Sequence, residues 1–262
     1  MKNIPFISLA LACGLVVPAT TDAQFASSVA GYNQGSGADP SYNNPNAALG
    51  APSQVTPGPF GGPVDPFNPP YLSSQVTGIG AGGSLTLQFD TPIQNNGANP
   101  FGLDFIIFGH AGFYITNGNY SGGGITDGTL FTGGTSNVRV SVSADGTTFY
   151  PLNASLAPVV DGLFPTDGSR NPFLPVDPSL MAADFAGKDL AGIRALYGGS
   201  AGGAGFDLAW AGSPISSASF VRLEVLSDVA YIDAISAAPE PASAMLAGIG
   251  AAVLLWSRRR KT

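Results

Sequence analysis

The stretch Val138-Arg139-Val140-Ser141-Val142-Ser143-Ala144-Asp145-Gly146-Thr147-Thr148-Phe149-Tyr150 decides the fold class of this chain. Val138, Val140 and Val142 alternate with Arg139, Ser141 and Ser143, so an extended backbone would send the valines to one face and the polar residues to the other. Asp145-Gly146 then supplies the positive φ of a tight turn, and Thr148-Phe149-Tyr150 forms the returning strand. One apolar face and one polar face is the pattern of antiparallel, half-buried sheet.

The same period recurs on both sides of this hairpin. Leu85, Leu87 and Phe89 alternate with Thr86 and Gln88, and Val221, Leu223 and Val225 alternate with Arg222 and Glu224. Tyr231-Ile232-Asp233-Ala234-Ile235 closes the series, with Trp210 in a further apolar strand of the core. Phe105-Ile106-Ile107-Phe108 is apolar throughout, as expected of a strand covered on both faces. Only Asp189 to Tyr197 reads as helix, with Leu190, Ile193 and Tyr197 at helical spacing, Asp189 as N-cap and Gly198 as stop. From Tyr32 to Tyr71 the density of Pro, Asn and Gly predicts one long ordered loop region with few short strands. No fixed-period repeat is present, so the expected fold is all-β: an antiparallel β-sandwich with a short helical insertion.

Composition narrows the function classes. Gly and Pro supply 58 of 262 residues, just under the roughly 25–30% at which low-complexity disorder becomes the default, so the chain is expected to fold. Charged residues are 10%, against about 25% in ordinary soluble domains, which disfavours coiled coils and helix-rich cytosolic enzymes. Between residues 24 and 238 there are five basic and fifteen acidic side chains, with no Lys/Arg cluster, and this excludes nucleic acid as a partner.

The two ends read as addresses. Residues 1–23 form a secretory signal with Lys2 before the apolar run Ile4 to Val17 and small residues at Thr21-Asp22-Ala23, which implies the secretion translocon and signal peptidase as partners. Cys13, the only cysteine, lies inside that run, so the mature body holds neither disulfide nor thiolate. At the other end, Pro239-Glu240-Pro241 precedes the uncharged apolar segment 242–256, which would span about 22 Å as a helix. Arg258, Arg259, Arg260 and Lys261 follow at once, and cations at both ends keep the ends cytoplasmic with the body across the membrane.

Pro239-Glu240-Pro241, a short apolar helix rich in small residues and a terminal Arg cluster resemble the PEP-CTERM sorting signal of Gram-negative bacteria. The resemblance covers residues 239–262 and implies an exosortase as processing partner, a transient inner-membrane intermediate, and a destination at the cell surface or in an exopolysaccharide matrix. The body, residues 24–238, resembles the sandwich domains that accompany such tails. It does so through Ala48-Leu49-Gly50-Ala51-Pro52, Gly83 to Phe89, Val140 to Gly146, Gly205 to Trp210 and Tyr231 to Ile235. Those domains are similar to galactose-binding-like jelly rolls, which bind glycans or surfaces, often beside a structural calcium ion.

Candidate chemistry is sparse. The only histidine, His110, follows a strand between Gly109 and Gly112, and no Gly-x-Ser-x-Gly elbow accompanies it, so no catalytic residue is assigned and His110 is expected as a loop residue. Zinc would need further imidazoles or thiolates. Asp127, Asp145, Asp161 and Asp167 each precede glycine and read as turn formers. For calcium, which collects loop oxygens, the candidates are Asp39, Asp104, Asp207 and Asp233; no other cofactor is required. Tyr42, Tyr71, Tyr114 and Tyr120, with Phe60, Phe67 and Phe113, lie in polar loops where a ring could stack on a sugar. The function expected is a non-enzymatic polysaccharide- or surface-binding module, with a secreted hydrolase or lyase and a purely structural coat protein as rivals.

Overall fold

The computed structural model describes residues 24–59 and 61–238. The signal segment 1–23, Phe60 and the sorting segment 239–262, including its apolar helix 242–256 and basic tail 258–261, lie outside them. In chain order the strands are β1 (Ser28–Asn33), β2 (Val55–Thr56), β3 (Gly62–Pro63), β4 (Thr77–Gly80), β5 (Ser84–Gln94), β6 (Phe105–Gly109), β7 (Gly112–Phe113), β8 (Leu130–Thr132), β9 (Asn137–Ser143) and β10 (Tyr150–Pro151). Two short helices follow, α1 (Ala182–Phe185) and α2 (Leu190–Leu196), then β11 (Ala204–Phe206), β12 (Ser217–Ser227) and β13 (Val229–Ala237).

Two antiparallel sheets carry the body, ordered β1-β5-β12-β9-β10 and β11-β6-β13-β4. Counting β4, β5, β6, β9, β10, β11, β12 and β13 as first to eighth, one sheet reads second-seventh-fourth-fifth and the other sixth-third-eighth-first. That winding is the jelly roll, with β1 added as an extra edge beside β5. The alternating residues meet between the sheets. Leu85, Leu87, Phe89, Val140, Val142, Val221, Leu223 and Val225 from the first sheet pack on Ile79, Phe105, Ile107, Ile232 and Ile235 from the second.

The apolar run of β6 is explained by its second face. Ile106 and Phe108 point away from the sandwich and pack with Ala201 and Ala234, under chain that leaves the sheets between β6 and β11. A third cluster, Phe113, Val176, Phe185, Ile193 and Tyr197, builds that covering layer. The expected helix forms as α2: Asp189 accepts the Gly192 N–H at 2.8 Å, and Gly198 takes φ 60° just past its end.

Two expectations are corrected in detail. The returning strand of the hairpin is only Tyr150–Pro151, because the Asp145 carboxylate gathers the amides of Thr147 and Thr148 at 2.8 Å each into a wider turn. Those amides hold the Asp145 carboxyl well below the usual range. Phe149 leaves the ladder to lie 3.6 Å from the Arg222 guanidinium, which also donates to Thr86 and so covers the polar face of the sheet. Trp210, expected in a core strand, sits in a 3-10 turn, Leu208–Trp210, closed by the Ala209 N–H donating to Asp207 at 2.7 Å. Its ring is half-buried, edge-on to Phe206 at 6.2 Å.

Candidate functional site

Two loops and a helix meet on the covering layer and leave a groove. The first is the turn after β3. There the Asp65 carboxylate accepts the N–H groups of Phe67 and Asn68 at 2.8 and 3.1 Å, and the Asn68 amide donates to the Pro63 carbonyl at 2.9 Å. The second is the excursion between β7 and β8. The Asn117 side chain accepts from Asn119 and Ile125 and donates to Gly123, so one amide ties both limbs of the loop together. Asn119 repeats the device by accepting the Ser121 N–H at 3.1 Å. With backbone polarity consumed inside the loop, the intervening Tyr120 side chain is left 78% exposed at its tip. The third element is α2, which presents Leu190.

The groove encloses about 390 Å³. Its polar lining is Asp65, Asn68, Asn119 and Tyr120, and its apolar lining is Phe67, Ile115 and Leu190. A second depression of about 550 Å³ shares Gly122 and Leu190 with it and adds Arg170, Asp189 and Arg194. Among the described residues, the side-chain Asn68 Oδ1 and Asn119 Nδ2 carry no hydrogen bond, so the groove offers both an acceptor and a donor. Burial raises the Asp65 carboxyl above its ordinary value against the pull of its two amides. Beneath it, Asp167 is fully buried. Burial alone would raise that carboxyl, but hydrogen bonds from Arg194 and Ser169 outweigh it and hold the group below the usual range.

The structure separates the four expected tyrosines into pairs. Tyr114, 52% exposed, stands edge-on to Phe131 at 5.6 Å, one residue before Ile115 of the groove, and Tyr120 stands on the groove itself. Tyr42 and Tyr71 are half-buried elsewhere: the Tyr42 hydroxyl donates to the Tyr71 carbonyl at 2.6 Å and its ring packs on Tyr231 at 5.0 Å.

The four aspartates also divide. Asp39 is exposed and caps the turn Pro40–Tyr42, its carboxyl lowered by the Ser41 N–H and hydroxyl. Asp233 is buried at a bulge where β13 slips against β6, both its oxygens taken by the N–H and hydroxyl of Ser53 at 2.8 and 2.7 Å. Burial, reinforced by the charge of Asp161, pushes the Asp233 carboxyl up to about 7. Asp104 and Asp207 come together, and burial first, then the Asp207 charge, raises Asp104 to about 6.

One pairing was not legible in the sequence. His110 Nδ1 lies 2.5 Å from Asp161, a buried aspartate at φ 56° that also accepts the Ala111 N–H at 2.6 Å. The His110 ring packs on Tyr231 at 4.4 Å. The preceding Gly109 is required, since a Cβ there would collide with the Asp161 carboxylate. Asp161-Gly162 looks like any turn dipeptide, and only the fold reveals its partner 51 residues away.

Among the described residues no group of three or more His, Cys, Asp or Glu side chains could hold a metal, and no helix is long and apolar enough to cross a membrane. Residues 237–260 match the PEP-CTERM protein-sorting motif, starting at the last residue of β13. The match marks an exported protein whose sorting depends on an exosortase and whose processing takes place at the membrane. No curated protein matches the chain.

Proposed function

We propose that the body of this exported protein is a non-enzymatic binding module that holds polysaccharide at the Tyr120 groove, at the cell surface or in the extracellular matrix. The observation that carries the reading is Tyr120 itself, a ring 78% exposed on a tied loop above a cavity of about 390 Å³, a size typical of small-molecule sites. An exposed aromatic face offers a sugar ring an apolar platform, while Asn68, Asn119 and Asp65 offer its hydroxyls donors and acceptors. The galactose-binding-like resemblance of the body and its jelly-roll winding favour the same class of ligand.

One observation favours a rival: burial raises the Asp65 carboxyl, as a general acid requires, and a hydrolase or lyase would use it on bound glycan. Asp65 is the one carboxylate in the groove lining, and a glycosidase of the usual kind needs two.

The test is to screen the purified body, residues 24–238, against bacterial and algal polysaccharides while assaying released sugar ends. Saturable binding without release is expected. Tyr120→Ala should weaken it by about tenfold or more, a loss of about 1.4 kcal/mol, with an unchanged melting temperature. Sugar release abolished by Asp65→Asn would establish the enzyme instead, and absence of both binding and release would leave a structural coat protein.

A further inference from the structure

Cations are scarce in the body, and where they stand is informative. Of the five basic side chains between residues 24 and 238, Arg139 and Arg222 lie on β9 and β12 of the five-stranded sheet, whereas Arg170, Lys188 and Arg194 gather around α2. Arg170 and Arg194 both line the depression of about 550 Å³ that shares Gly122 and Leu190 with the Tyr120 groove. A chain of sugar units lying across Tyr120 therefore has a path onto the two guanidinium groups.

The two arginines differ in what they have left to give. The buried Asp167 carboxylate holds Arg194 side-on, accepting Nε at 2.6 Å and Nη2 at 3.1 Å, and Nη2 also donates to Ser169 Oγ at 3.2 Å. That pairing spends the Asp167 charge, fixes the Arg194 guanidinium and leaves its Nη1 unclaimed among the described residues. Arg170 Nε stands 3.9 Å from the same carboxylate, beyond hydrogen-bond range, and its side chain is 42% exposed. The fork of Arg170 thus has no hydrogen-bond acceptor among the described residues. The remaining carboxylate of the lining, Asp189, caps α2 through the Gly192 N–H at 2.8 Å and forms no ion pair with either arginine.

A guanidinium fork matches two oxygens of an anion at once, and such charge-assisted bonds are roughly twice as strong as those to neutral hydroxyls. The acidic excess of the body repels an anion at long range, but at physiological ionic strength that field is screened beyond about 8 Å and the groups at the contact decide. Resting on the reading of the Tyr120 groove as a glycan site, we propose that its glycan is acidic. A sugar face lies on Tyr120, and an anionic substituent further along the chain, a uronate carboxylate or a sulfate ester, is bound by Arg170 with Arg194 Nη1 as a second donor on the same depression. Asp167 acts through Arg194, as the buried group that keeps it in place.

The body is a suitable test object because it forms one compact unit with its own core. Its affinity is measured for polygalacturonate against the same polymer with its carboxyl groups reduced, and for dextran sulfate against dextran, at physiological and at raised salt. A preference of about tenfold or more for the charged member of a pair is expected, shrinking as salt rises, and the pair that shows it identifies the anion. Arg170→Gln should bring that ratio close to one with an unchanged melting temperature, and Arg170→Lys, which keeps the charge and loses the fork, should restore only part of it. Asp189→Asn keeps a capping side chain and removes a like charge, so it should tighten binding of the acidic polymer. Tyr120-dependent binding with no preference in either pair, or a preference unchanged in Arg170→Gln, would overturn this assignment while the groove stands as a glycan site. Absence of binding to all four polymers would overturn both.

Discussion

The sandwich and the layer that covers it are held together by different physics. Between the sheets, cohesion is side-chain burial, with Leu87, Phe105, Val221 and Ile232 wholly removed from water and contributing through contact area. In the covering layer, single Asn and Asp side chains fasten backbone loops, as Asn117 does for residues 119–125 and Asp65 does for the turn to Asn68. Burial is cooperative and distributed, so the sheets resist local change. A stapled loop stands on one or two bonds and is free to vary around them, which suits a binding surface.

The strongest way to break this contrast is in the core. Phe105→Ala should cost about 3–5 kcal/mol of stability, read as a lower urea midpoint, because the ring is fully buried and stacked on Phe206 at 5.3 Å. A loss below about 1 kcal/mol would mean that the covering layer, not the sandwich, sets global stability.

Asp233 gives the next effect, and its sign is fixed by linkage. Its folded-state pKa of about 7 exceeds the unfolded value of about 4, so the folded chain holds an extra proton between them. The stability contributed by this proton is full below about pH 4 and is lost as pH rises through 7, a change on the order of 3–4 kcal/mol. Asp233→Asn keeps the partners of Ser53 and should flatten that part of the profile between pH 5 and pH 8. An unchanged slope in urea titrations would place the pH dependence elsewhere.

A smaller effect is expected at the staple. Asn117→Ala removes three exposed hydrogen bonds and should lower global stability by less than about 1 kcal/mol, while hydrogen exchange at residues 119–125 rises and groove binding falls several-fold. A drop in melting temperature as large as that of the core variant would erase the distinction between the two regions.

Much of the sandwich was legible because burial writes itself as period. Leu85, Leu87 and Phe89, and Val221, Leu223 and Val225, alternate in sequence and all lie buried between the sheets. The unbroken run Phe105 to Phe108 announced two covered faces, and Asp189 with Gly198 announced the ends of α2. The covering layer wrote no such period. Asn117 resembles any loop asparagine until its three partners are in place, and Asp104 meets Leu208 across 104 positions of chain. Phe149 and Trp210 sit in apolar-looking strand context, yet one was drawn out by a guanidinium and the other by a capping carboxylate.

The place of β13 also sets an order in time. It is the last strand among the described residues, yet it lies inside its sheet, between β4 and β6. A chain emerging N-terminus first therefore cannot close that sheet until residue 237 has come through, and the edges of β4 and β6 that pair with β13 wait unpaired until then. The last turn of the key is thus the segment that runs directly into the sorting motif, since the gap between β4 and β6 is filled by residues 229–237 and nothing earlier in the described chain.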